Sequence, residues 1–87
     1  MIKDVINEWD PLNLFPYAPD NEYENEILLI EKFIQLNEVN VENITEVIIL
    51  VFTKSFGNDL FKHKKIECHF IAKKIMKKLI NNNYSDL

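Results

Sequence analysis

A chain of 87 residues, 47% apolar and 28% charged, suffices for one domain with a modest core and is too short for two. Its one glycine, Gly57, excludes phosphate-cradling loops and dinucleotide fingerprints, and its lack of arginine excludes bidentate recognition of phosphate or carboxylate. The net charge of −4 joins two unlike halves: residues 1–46 hold eleven acids and two lysines, residues 47–87 three acids and eight lysines.

Ile2, Val5, Ile6 and Trp9 follow the i, i+3, i+4, i+7 spacing, which predicts a short amphipathic helix at the start of the chain. Asp10-Pro11 ends it, because proline lacks an amide hydrogen and turns its predecessor away from the helical region; Asp10 is placed to cap a new turn. Pro11, Pro16 and Pro19 then frame Leu12, Leu14, Phe15 and Tyr17 in a stiff, apolar corner that should lie against the core. A second helix is predicted from Asp20 or Asn21, where Asn21 and Glu24 have capping-box spacing. Its inward stripe is Tyr23, Ile27, Ile30 and Ile34, while Glu22, Glu24, Glu26 and Glu31 read as solvated.

Asn37 to Asn40 reads as a connection, with Asn40 capping a third helix whose buried face carries Ile44, Val47, Ile48, Val51, Phe52 and Ser55. Gly57 stands where a left-handed terminator is wanted. The run Val47–Phe52 has the composition of a buried strand, but no second segment could pair with it, so helix is preferred. A fourth helix is expected from about Asn58 to Leu79, with Phe61, Cys68, Ile71, Ala72, Ile75 and Leu79 on one side. The fold expected is all-α: a small up-down-up helical bundle of three longer helices, preceded by a short N-terminal helix and a proline-rich corner. Residues 1–80 form the single domain and residues 81–87 a polar, frayed tail.

Little in the chain points to chemistry. His63, Cys68 and His69 are the only soft metal-ligand candidates; the two histidines lie roughly 120° apart on a helix and Cys68 faces inward, so no metal site is expected. Ser55 and Ser85 lie in no motif with a base or an oxyanion loop, and paired acids would need a cleft that so small a bundle does not offer. Neither catalysis nor a cofactor is therefore expected. Lys62, Lys64, Lys65, Lys73, Lys74, Lys77 and Lys78 supply point charge without base reading, and the acidic half repels polyanions, so nucleic acid is not the expected partner. One cysteine suits a reducing compartment. The longest apolar run is six residues, against about 20 for a bilayer span, and no apolar region follows Met1-Ile2-Lys3-Asp4; a cytoplasmic, membrane-free protein is expected.

Apolar residues outside the main stripes are the more informative feature. Leu29, Phe33 and Leu36 lean away from the second helix's inward face, Ile49 and Leu50 from the third's, and Ile66 and Phe70 from the fourth's. Three helices cannot hide all of them, so Leu29, Phe33, Leu36, Ile66 and Phe70 are the expected surface for a homo-oligomer or another protein.

Trp9-Asp10-Pro11-Leu12-Asn13-Leu14, followed by Ala18-Pro19-Asp20-Asn21-Glu22-Tyr23-Glu24-Asn25-Glu26-Ile27, resembles the YugE-like family of small bacterial all-helical proteins of unknown function. Phe52-Thr53-Lys54-Ser55-Phe56-Gly57 and Cys68-His69-Phe70-Ile71-Ala72 extend the resemblance over nearly the whole chain. Asn13 stands where that family usually has glycine, and Asn21 and Glu24 where it more typically has aspartate. The resemblance implies a helical fold and no particular activity. A similar signature occurs in proteins that look like toxin-neutralising immunity proteins, which implies an alternative role through the acidic half. Physically, Trp9, Asp10, Pro11, Asp20, Glu22, Tyr23 and Glu26 read as a structural clasp; the rival is that Asp10, Asp20, Glu22 and Glu26 present a negative patch to a basic partner. The function expected is non-catalytic: binding another protein or a second copy of the chain.

Overall fold

Ile2, Val5 and Ile6 are buried together and draw the first segment into α1 (Lys3–Trp9). The computed structural model describes residues 2–12, 14, 22–61 and 65–85, with side chains at all of these except 59, 60 and 82–85. Asp10 ends α1 in the left-handed conformation (φ 46°, ψ 65°), and its N–H closes on the Ile6 carbonyl at 2.9 Å. Aspartate is among the few residues that tolerate this geometry, which turns the chain sharply into Pro11.

The second helix, α2 (Glu24–Leu36), starts later than the expected Asp20 or Asn21. Tyr23 is its N-cap residue and makes no side-chain cap bond; Asn21 of the expected capping box lies outside the described residues. Glu24 and Glu26 occupy the first turn, where carboxylates complement the helix dipole. Tyr23, Ile27 and Ile30 are buried as expected, and Ile34 packs partly buried beside them.

Asparagines make the next corner. Asn37 donates its side-chain amide to the Phe33 carbonyl at 2.9 Å, satisfying an acceptor at the end of α2. Asn40 caps α3 (Val41–Leu60) as expected: its Oδ1 accepts from the Asn43 N–H at 2.8 Å, and its own N–H donates to the Asn43 Oδ1 at 2.9 Å. This reciprocal pair is a capping box with asparagine in both seats. Val47–Phe52 is helical, and Ile44, Val47, Ile48, Val51 and Phe52 are buried, while Ser55 is exposed rather than on the buried face. Helical geometry breaks at Gly57 (φ 80°, ψ 165°), with an extended ψ in place of a left-handed turn; one further turn follows before Phe61, whose N–H returns to the Gly57 carbonyl at 2.9 Å. No atom lies within 4 Å of where a Gly57 side chain would begin, so the positive φ, not crowding, is what calls for glycine.

The last helix, α4 (Lys65–Ser85), begins after the expected Asn58 and passes the expected end at Leu79. Phe61, assigned to this helix on period, is instead the extended residue after α3, yet its ring is buried all the same. Cys68, Ile71, Ala72 and Ile75 face inward.

All described elements are helices and no strand occurs among the described residues, so the protein is a small all-α bundle. Successive helices alternate in direction. Tyr23 at the start of α2 meets Phe56 late in α3, and along α4 Lys65 lies in a depression with Thr53 while His69 meets Glu42, so α4 runs back along α3. The short first helix lies along α2, with Ile2 near Glu31 at one end and Asp10 bonded to Tyr23 at the other. It packs on α2 and α4, which do not reach packing distance of each other among the described residues, while α3 joins those two on the other side. Ile2 N–H to Glu31 Oε2 (3.4 Å) and the Asp4–Lys78 ion pair hold its first turn in place. Lys78 also holds the Asp4 carboxyl below its usual pKa range.

Candidate functional site

Of the residues expected to form a clasp, Asp10 and Tyr23 are bonded to each other although thirteen positions separate them. Tyr23 is fully buried; its hydroxyl donates to Asp10 Oδ1 at 2.5 Å and accepts from the Leu12 N–H at 3.1 Å. The same Asp10 oxygen accepts from the Leu14 N–H at 2.8 Å, so Asp10 caps the turn after Pro11 while anchoring Tyr23. Pro11 is buried beside them. Trp9, half-buried, meets Phe52 and Phe61 edge-on at 5.7 and 6.1 Å. Burial, and then the Asp10 carboxylate, push the Tyr23 phenol well above its ordinary range, which keeps it a neutral donor.

The acidic residues of the same motif do not form one exposed patch. Glu22 is exposed, but Glu26, read as solvated, is only 6% exposed on α2. Asp10 is turned into its hydrogen bonds, and Asp20 lies outside the described residues. Glu31, also read as solvated, is half-buried and accepts the Ile2 amide. Among the described residues, then, Asp10, Glu22 and Glu26 do not share one exposed acidic face.

The groups with reactive potential are dispersed. Cys68 is fully buried; burial, with the neighbouring Glu67 carboxylate adding to it, pushes the thiol up to about 11. A thiol so placed is protonated and shielded, hence a poor nucleophile. Native Cys68 should resist iodoacetamide at neutral pH and react fully in denaturant; rapid labelling of the folded protein would contradict its placement. His69 points to Glu42 at 3.7 Å, and His63 lies outside the described residues. Among the described residues no three His, Cys, Asp or Glu side chains are grouped to hold a metal.

The apolar residues expected at a binding surface divide into two groups. Leu29, Phe33 and Leu36 of α2 line a shallow groove whose opposite wall is Val47, Leu50 and Val51 of α3. Leu29, Leu36 and Leu50 are 53%, 72% and 60% exposed, and Phe33 is half-buried. Ile66 lies beyond α3 in a separate depression with Glu42, Lys65 and His69, and Phe70 is exposed on α4 with the Lys73 ammonium 5.8 Å from its ring centre. Leu50, outward-facing on α3, joins Leu29, Phe33 and Leu36 at this surface although it is not among the residues expected there. It also lines the depression that holds Glu46, Ile49, Thr53 and Lys65 and a smaller one with Phe33, Asn43, Glu46 and Val47, so it forms a crest among three concavities. Its displacement from the Ile44–Val47–Ile48–Val51 stripe was the available signal.

Of the lysines, Lys78 is committed to Asp4 and Lys73 lies over Phe70, while Lys62 and Lys64 are outside the described residues. No described helix is long and apolar enough to cross a membrane. No family model, curated protein or solved structure matches the chain.

Proposed function

We propose that the protein acts without catalysis, by binding another protein or a second copy of itself through the α2–α3 groove and the Leu50 crest. One observation carries this reading: three leucines on adjacent helices are each more than half exposed and border one groove. Water contact with that much contiguous apolar surface is unfavourable by roughly 25 cal/mol per Å², and covering it supplies a driving force for association. The surrounding residues suit a docking rim: Lys32, Asn37, Lys54 and Ser55 edge the groove and stay hydrated. The clasp supports the same reading from beneath, because it ties the corner before α2 to the helix that forms one wall.

Leu50→Asp tests the proposal. Because Leu50 is exposed in the single chain, this change should alter stability by only about 0.5 kcal/mol. A complex of defined stoichiometry, or a doubled mass in light scattering, should be lost in the variant while helical circular dichroism is kept. A wild-type chain that stays a lone protomer and forms no complex would refute the proposal, and so would a Leu50→Asp variant that still associates fully.

A further inference from the structure

We infer that the occupant of the Leu50 face is a second copy of this chain, docked about a two-fold axis that crosses α3 at Leu50 and sets the two α3 helices antiparallel. This inference rests on the function proposed above and names the partner.

The argument comes from the charges that flank the crest. Glu46, Leu50 and Lys54 are spaced by four on α3 and all three are exposed. They therefore form one row along the outer side of the helix, with the two charges about 6 Å to either side of Leu50. Neither charge is satisfied locally. The position four residues from each, on the near side, is Leu50 itself, and among the described residues neither Glu46 nor Lys54 takes part in an ion pair. Lys65 lines the same depression as Glu46 without pairing with it.

A two-fold axis in the plane of the face, perpendicular to α3, places Leu50 on its own copy and Glu46 opposite Lys54 of the second protomer, twice per dimer. A two-fold along α3 would set the helices parallel and bring Glu46 onto Glu46 and Lys54 onto Lys54, which like-charge repulsion disfavours. The antiparallel choice also suits α2. That helix runs opposite to α3, and its Leu29 and Phe33 share the groove with Leu50, so the leucines and phenylalanines meet near the axis while the charges fall outside them. An apolar centre with a charged rim is the common anatomy of a protein interface.

Charge reversal tests the inference on the intact chain. The dissociation constant of the wild-type dimer is measured at low salt by sedimentation, alongside Glu46→Lys, Lys54→Glu and the double variant. Each single reversal replaces two attractive contacts with two repulsive ones and should weaken the dimer by about tenfold; the double variant should return to within about threefold of wild type. The two single reversals move the net charge in opposite directions, so an effect of overall charge would shift them oppositely, whereas pairing weakens both. A double variant as weak as the singles overturns the antiparallel arrangement. A wild type that is monomeric throughout, yet forms a stoichiometric complex with another protein that Leu50→Asp abolishes, overturns the second-copy inference and leaves the proposed function standing.

Discussion

Phe52→Ala is expected to lower the thermal midpoint by about 15–30 °C, the largest effect of any single substitution considered for this chain. Phe52 is fully buried, and its ring meets four others: Trp9 at 5.7 Å, Tyr23 at 5.9 Å, Phe56 at 6.0 Å and Phe61 at 5.4 Å. Those partners come from α1, from the start of α2, from α3 itself and from the residue that follows it. Removing the ring deletes apolar contact and leaves a cavity that four separate segments would have to close together. Truncations of this kind cost about 3–5 kcal/mol, a large part of the 5–10 kcal/mol that a chain of this length can be expected to hold. Phe70→Ala is the control. That side chain is 59% exposed, so its loss should change stability by no more than about 0.5 kcal/mol. Thermal unfolding followed by circular dichroism checks both, and similar midpoints for the two variants would show that the aromatic cluster does not centre the fold.

The second large effect is expected at Asp10. Asp10→Ala removes the acceptor of the Tyr23 hydroxyl and of the Leu14 amide, and places alanine at φ 46°. Both bonds are accepted by one carboxylate oxygen and count together as a single charge-assisted contact worth about 1.5–3 kcal/mol, and the left-handed conformation adds about 1 kcal/mol for alanine, so a loss of about 2.5–4 kcal/mol is expected. Asp10→Asn keeps an acceptor oxygen and the tolerance for positive φ while losing the charge, and should cost less. Tyr23→Phe should cost about 1–2 kcal/mol, and combining it with Asp10→Ala should cost less than the sum, because both remove one shared bond.

The same pair sets an alkaline limit. Burial and the Asp10 carboxylate raise the Tyr23 pKa in the folded state above the value near 10 of an unfolded chain. The neutral phenol's contribution is thus complete below pH ~10 and is lost as pH climbs toward the folded-state value. Urea midpoints measured across that range should fall for the wild type and fall less for Tyr23→Phe. Identical slopes would mean that Tyr23 is not held neutral by the fold.

Much of this architecture was legible in the chain itself. The spacing of Ile2, Val5 and Ile6, of Tyr23, Ile27 and Ile30, and of Ile44 through Phe52 specifies three amphipathic segments, and each places its stripe in the core. Local rules also reach Asn40 as a cap and Gly57 as a break, because capping and positive φ depend on a residue and its immediate neighbours. Boundaries were less accessible. Phe61 keeps helical period with Cys68, but period does not show that a ring can be buried from an extended backbone just as well.

By itself, then, the order of residues determined the helical class and most of the inward face of each segment. Only the tertiary structure decided that Glu26 is covered, that the Tyr23 hydroxyl donates to Asp10, and that α1 lies between α2 and α4. It alone joined Leu29, Phe33 and Leu36 to Leu50 and separated them from Ile66 and Phe70. The physical reason is that periodicity states which side of one helix avoids water, whereas burial of a given side chain depends on which neighbouring helix arrives to cover it.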